Sequence, residues 1–266
     1  ALTGIVLGIV LMVAGVSTVL TARERWGVLG TICILVGALM LGPAIILISQ
    51  GTRTLADANG ITSPIVALPL AFLFVALLFA GSAILARSGL LAALTVLMLA
   101  AASGSSSFYG HATYTLSVTQ PLVTVVLFSA LGFAAYRLSL LLSGDWEHLA
   151  ISVARTSVFL VNLGFWIGSL WGDDRPWITL PTPVTVPPDA FSIVWAVALL
   201  VIAIWAGRVN RRWVLNLAAV FGGIHFYTQW FDHFGADAIG VLGGGLLMLV
   251  FAVVLWTVNQ RVAGAR

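Results

Sequence analysis

The chain has 266 residues, of which 61% are hydrophobic and 8% are charged, with a formal net charge of +3. Ordinary soluble domains carry about 25% charged residues, and with a mean hydropathy of +1.10 too much apolar surface is present for a water-soluble fold to hide. Apolar runs such as IVLGIVLMVAGVSTVL are continuous rather than alternating, which excludes a transmembrane β-barrel. The class expected is an all-α polytopic transmembrane bundle, a single integral membrane domain over residues 1–266.

In chain order, nine spans are predicted, at 2–20, 27–49, 64–86, 88–104, 121–142, 149–171, 190–207, 213–231 and 238–259. Each approaches the roughly 20 residues needed to cross about 30 Å of hydrocarbon. The fourth is short and the turn at Arg87 is tight, so counts of eight or ten stay open. The chain starts inside an apolar run without Met, so an upstream segment also stays open. Within the first span, Gly4 and Gly8 are four apart, and Gly240 and Gly244 repeat the spacing in the last. That spacing lets helix backbones approach closely, within the bundle or against another copy.

Two connections are long. Residues 105–120, SSSFYGHATYTLSVTQ, read as an outer loop; 172–189, GDDRPWITLPTPVTVPPD, carry Pro176, Pro181, Pro183, Pro187 and Pro188 and read as a stiff extended cover. Cys33 is the single cysteine and lies in an apolar run, so no disulfide framework is available.

All twelve basic residues are arginines, and short Arg-rich loops stay cytoplasmic. Placing the C-terminus inside puts ten arginines and three acids on the inner side, and two arginines and six acids on the outer. The orientation expected is therefore N-out, C-in, in a bacterial inner membrane. This asymmetry accounts for the pI near 9.6 without nucleic acid as a partner. Tryptophans agree, since their rings prefer the interface: Trp26, Trp146, Trp205, Trp213 and Trp256 fall near inner ends, Trp171, Trp177, Trp195 and Trp230 near outer ones.

The sixth span carries Arg155, Asn162 and Ser169 seven apart on one face. Arg155 either snorkels to the inner surface or pairs with Asp145 or Glu147. Asn162 lies near mid-membrane, where an amide needs a partner: it either joins two helices or lines a path. A second polar stripe lies in HFYTQWFDHF, 225–234. His225, Gln229 and Asp232 share a face at i, i+4 and i+7, with His233 about 80° round. In lipid such a stripe faces protein or a water-filled cavity. Either it forms a polar, metal or proton site at the outer mouth, or His225 bonds a neighbouring helix while Asp232 and His233 merely end a span.

The C-terminal third, RRWVLNLAAVFGGIHFYTQWFDHFGADAIGVLGGGLLMLVFAVVL, together with GALMLGPAIILISQ (37–50) and VFLVNLGFWIGSLWGDD (158–174), resembles uncharacterised bacterial membrane proteins classed as domains of unknown function 2157 and 4401. The resemblance implies a polytopic membrane protein and no assigned activity. Gln229-Trp230 stands where that pattern has Arg-Tyr, and the family's soluble N-terminal segment is absent from this sequence, so no catalytic residue carries over.

Enzyme signatures are missing: no HExxH, GxSxG, Walker loop or dinucleotide fingerprint occurs. No catalytic residue, metal or cofactor is implied by motif. A metal set of His111, His233 and Asp173 or Asp174 needs two loops to converge. The leading functional expectation is a passive or weakly coupled permease or channel-like protein for a small or lipid-like solute. The alternative is a structural or accessory subunit, and a third reading is an intramembrane enzyme acting on lipid through His225, Asp232 and His233. The partners expected are the lipid bilayer and either other membrane proteins or a second copy of the chain.

Overall fold

The computed structural model describes residues 2–21, 23–58, 67–110, 113–173, 185–235 and 237–264. Its contacts fall into two compact units, residues 1–161 and 162–266. The first holds α1 (Leu2–Thr21), α2 (Arg23–Ala58), α3 (Ala67–Ala86), α4 (Gly89–Ala102), strands β1 (Ser105–Gly110) and β2 (Thr113–Val118), and α5 (Pro121–Ser139). The second holds α7 (Pro188–Arg208), α8 (Arg212–Phe234) and α9 (Ala238–Gly264). Helix α6 (Asp145–Trp171) runs through the boundary.

Among the described residues, six helices are long and apolar enough to cross a membrane: α1, α2 from Glu24 to Thr52, α3 from Pro69, α5, α6 and α7. The apolar stretches of α4 and of α9, Ala238–Val254, are shorter. Helix α8 has 23 residues, but Asn216, His225, Gln229, Asp232 and His233 dilute its apolar content.

Unit 1 is built on the α1–α2 pair. Its close approach rests on Gly8, Gly15, Gly30 and Gly37. A Cβ at Gly37 would stand 2.8 Å from the carbonyl oxygen of Gly8, and one at Gly15 would stand 2.7 Å from the backbone nitrogen of Ile34 and 2.8 Å from the carbonyl of Gly30. Gly8 therefore faces Gly37 and Gly15 faces Gly30, an antiparallel register. Within each helix the two glycines are seven residues apart, two turns, so both crossings lie on one face. The small-residue seam is thus Gly8 with three glycines other than Gly4. The Cβ position of Gly4 has no described neighbour within 4 Å, so Gly4 takes no part in the α1–α2 contact, and of its two expected roles only packing against another copy is left.

Around this pair, Val19, Ile34, Ala38, Val75, Phe79, Ala83, Leu91 and Leu149 form the buried core of unit 1. Gly42 leaves room for the Phe79 ring. Helices α3 and α4 are joined through Arg87, whose φ is 50°, and Ser88, whose Oγ accepts from the Leu91 amide at 3.5 Å to cap α4.

The irregular loop expected over 105–120 is an antiparallel hairpin, with Ser105 opposite Val118 and Tyr109 opposite Tyr114. Aromatic and β-branched residues favour this extended pairing. Its foot is tied to α5: the Ser105 and Thr124 hydroxyls are 2.8 Å apart, and the Thr119 hydroxyl donates to the carbonyl of Gly104, where φ is 93°. The inner loop expected before residue 149 is also ordered, with Asp145, Trp146, Glu147 and His148 in the first turn of α6.

Candidate functional site

Unit 2 is organised by one tryptophan. Trp195 is 1% exposed, so it is a core anchor and not the interfacial belt residue that its nearness to a span end had implied. Phe191, one turn earlier on α7, packs on the bare backbone of Gly168 in α6. This draws α7 against α6 and lays the Trp195 ring parallel to Phe165 at 6.5 Å. Phe221 of α8 meets the same ring at 6.4 Å.

Two polar side chains meet Trp195. Its Nε1–H donates to Asn162 Oδ1 at 2.9 Å, tying α6 to α7 in a buried setting where an amide needs a partner. The His225 ring stands against the indole edge to face, with centroids 4.9 Å apart. Asn162 and His225, 63 positions apart in sequence, thus touch the same indole, and the two predicted stripes converge at Trp195.

Four described side chains carry a buried polar atom with no hydrogen-bond partner. One is Ser157 Oγ; the other three are Trp166 Nε1, His225 Nδ1 and Gln229 Nε2, all in unit 2. Trp166 lies one turn beyond Asn162 on α6, and Gln229 one turn beyond His225 on α8. Indole N–H and amide NH2 are donors only, whereas the imidazole Nδ1 donates or accepts with its tautomer. The α6–α8 seam therefore holds unspent hydrogen-bonding capacity in apolar surroundings, where an unpaired group costs several kcal/mol.

Beside the seam, a cleft of about 460 Å³ lies between α6, α8 and α9, bounded by Trp166, Val220, Tyr227, Met248 and Phe251. Gly223 leaves its floor open, with Met248 and Phe251 opposite it. The Thr228 hydroxyl at its edge is occupied, donating to the carbonyls of Ile224 and His225.

The rest of the predicted set lies elsewhere. Asp232 is exposed, and so is His233, whose Nδ1 is 2.9 Å from the carbonyl of Gln229 in its own helix. Both belong to the last turns of α8. His225, Asp232 and His233 therefore do not gather into one site: the first is in the seam and the others are at the surface. On α6, Ser169 is buried with its hydroxyl on the carbonyl of Trp166, while Arg155 is exposed. Asp145, one of its two expected partners beside Glu147, sits ten residues away on the same helix, about 15 Å by the helical rise, and takes Arg87 at 2.6 Å.

Gly240 and Gly244 play different parts. The Gly240 amide donates to Asp237 Oδ1 at 2.6 Å and its carbonyl accepts from Trp230 Nε1 at 2.9 Å. Its tightness is a local cap, with the Gly235 carbonyl 2.7 Å from where a Cβ would be, so Gly240 both caps the start of α9 and ties it to α8 through Trp230. Gly244 does pack across helices, its Cβ position 3.0 Å from the Trp230 ring.

Among the described residues no three His, Cys, Asp or Glu side chains gather as metal ligands; His111 and Asp174 lie outside the described residues. Trp166 and Trp195 were missed as site residues. Trp166 was legible as i+4 from Asn162, but Trp195 became visible only once α7 was placed against α6. Comparison with protein families, with curated proteins and with solved structures finds no match to this chain.

Proposed function

We propose that this chain is a multi-pass protein of the bacterial inner membrane that passes a small or lipid-like solute, passively or with weak coupling, along the α6–α7–α8 seam. The observation that carries the reading is the trio of buried, unpartnered nitrogens of Trp166, His225 and Gln229. A seam serving packing alone would pair such groups, as the large majority of buried polar atoms are paired. A seam that serves a passing solute keeps donors for it. The adjoining cleft supplies an apolar flank for a solute with a hydrocarbon part.

The reading includes nine crossings with the N-terminus outside and the C-terminus inside, supported by the arginine distribution. It also includes kinship with the two bacterial families of unknown function, supported by the segments quoted above.

The test is flux in proteoliposomes. One arm follows swelling with glycerol or urea by light scattering; the other follows a fluorescent phospholipid made accessible to an external quencher. Transport of either class above empty liposomes, reduced at least several-fold in His225→Ala and Gln229→Ala, is expected. Rates equal to empty liposomes in both arms would refute it.

The second reading, an accessory subunit, is favoured by Gly4 and Gly245, where a Cβ would meet no described atom of another helix within 4 Å and which leave helix faces open to another membrane protein. It predicts a partner that survives mild detergent extraction.

A further inference from the structure

The turn between α3 and α4 places an arginine where backbone sterics favour glycine. Arg87 has a φ of 50°, the left-handed region in which a Cβ crowds the following carbonyl. Its side chain is committed in two directions. Nη1 donates to Asp145 Oδ2 at 2.6 Å, and the guanidinium carbon stands 5.8 Å from the centroid of the Trp146 ring, within cation–π range.

Trp146 is also a wall of a second cleft. This space, about 250 Å³, lies between α3, α4, α5 and α6 and is otherwise lined by apolar side chains such as Ile84, Leu138, Leu142 and Val153. Its one hydroxyl, from Thr95, donates to the carbonyl of Leu91. Ala80 and Thr95, at its far end, are each seven or eight residues from Arg87 along their helices, which makes the slot about 10 Å deep. An apolar slot therefore runs down from a ring that carries a cation.

The charges at this mouth are accounted for. Asp145 uses one of the five N–H groups of Arg87 in the bond above, leaving the rest of the fork for oxygen acceptors. The Arg87 side chain is 37% exposed and hence accessible. Arg137, in the last turn of α5, immediately precedes the lining residue Leu138 and is exposed, as are Glu147 and His148. An apolar slot topped by a planar donor fork matches an acyl chain joined to a phosphate.

We propose that this cleft is a binding site for one anionic phospholipid, with an acyl chain between α3, α4, α5 and α6 and its phosphate on Arg87, with Arg137 adding charge at the rim. The site lies wholly in unit 1 and does not depend on the solute reading of unit 2. Basic pockets between spans on the cytoplasmic side recognise such headgroups, and Arg87 and Arg137 both fall on the proposed inner side.

The experiment is native mass spectrometry of the delipidated full chain, given phosphatidylglycerol or phosphatidylcholine at equal concentration. One phosphatidylglycerol is expected to bind about fivefold more tightly than phosphatidylcholine, the value of one basic contact near the surface. Arg87→Gly relieves the positive φ while removing the guanidinium, so a folded variant is expected to lose the preference. Ala150→Leu fills the slot and is expected to lose the first adduct of both lipids. Asp145→Asn keeps Arg87 and frees its fork, so the preference should equal or exceed that of the parent, a readout independent of whether Arg87→Gly folds. Equal binding of the two lipids, a preference undiminished in folded Arg87→Gly, or a preference lost in Asp145→Asn would overturn the site.

Discussion

Gly15→Ala compared with Gly4→Ala isolates the energy of the α1–α2 contact. The Gly15 Cβ position is 2.7 Å from the Ile34 nitrogen and 2.8 Å from the Gly30 carbonyl, against ordinary contact at 3.4–4 Å. Both obstructing atoms are backbone, so no rotamer change relieves them and the helices must separate by about 0.6 Å or more. Gaps of 0.5–1 Å forfeit about a quarter to a half of each dispersion contact, and the Gly8–Gly37 crossing on the same face opens with it. Overpacking of this kind costs about 1–3 kcal/mol. Both variants gain the same improvement in helix propensity, about 1 kcal/mol, and it cancels in their difference. Gly4→Ala meets nothing. Unfolding in mixed micelles by SDS titration, followed by tryptophan fluorescence, should therefore place Gly15→Ala about 1–3 kcal/mol below Gly4→Ala. A difference under about 0.5 kcal/mol would refute the glycine register.

A double-mutant cycle on Asn162→Leu and Trp195→Phe should show a coupling of about 0.6 to 1.7 kcal/mol, the range for interhelical hydrogen bonds in membranes; zero coupling would mean that the 2.9 Å bond does not hold α6 to α7. Asn162→Leu alone should cost about 1–3 kcal/mol, because it strands the Trp195 donor. At the start of α9, Asp237→Ala should destabilise by about 1 kcal/mol and speed amide exchange at Gly240, whose N–H it releases; unchanged exchange there would contradict the cap.

Hydropathy made most of the helical content legible, since α1, α3, α5 and α7 end within about three residues of the predicted spans. It was blind to helix outside the apolar window. Helix α2 has 36 residues, about 54 Å, and continues through ISQGTRTLADA, where polar residues still allow helical backbone. The hairpin is hidden from hydropathy because six-residue strands are too short to read as spans, although Tyr114, Thr115 and Val118 are β-forming residue types. A spacing of four within one helix does not single out Gly15, Gly30 and Gly37; the sign of close approach there is a spacing of seven on each of two neighbouring helices.

The polar stripes were legible individually, since helical periodicity puts His225 and Gln229 on one face. Their meeting at Trp195 was not. A tryptophan near a span end reads alike whether it faces the interface or the protein, and only the bare Gly168 backbone that admits Phe191 turns Trp195 inward. Asp232 fits the same periodicity and His233 lies next to it, but both are exposed in the last turns of α8, so periodicity alone overstates the site.

What most needs measuring is whether the α6–α7–α8 seam of unit 2 passes a solute. Proteoliposome flux of glycerol, urea and a fluorescent phospholipid, measured with the parent chain and with Gln229→Ala, tests it most directly, because Gln229 Nε2 is buried and unpartnered and its loss breaks no structural bond. Flux of at least one of the three above empty liposomes is expected, and several-fold less in the variant with no loss of stability. Flux indistinguishable from empty liposomes, or identical in both proteins, would contradict it.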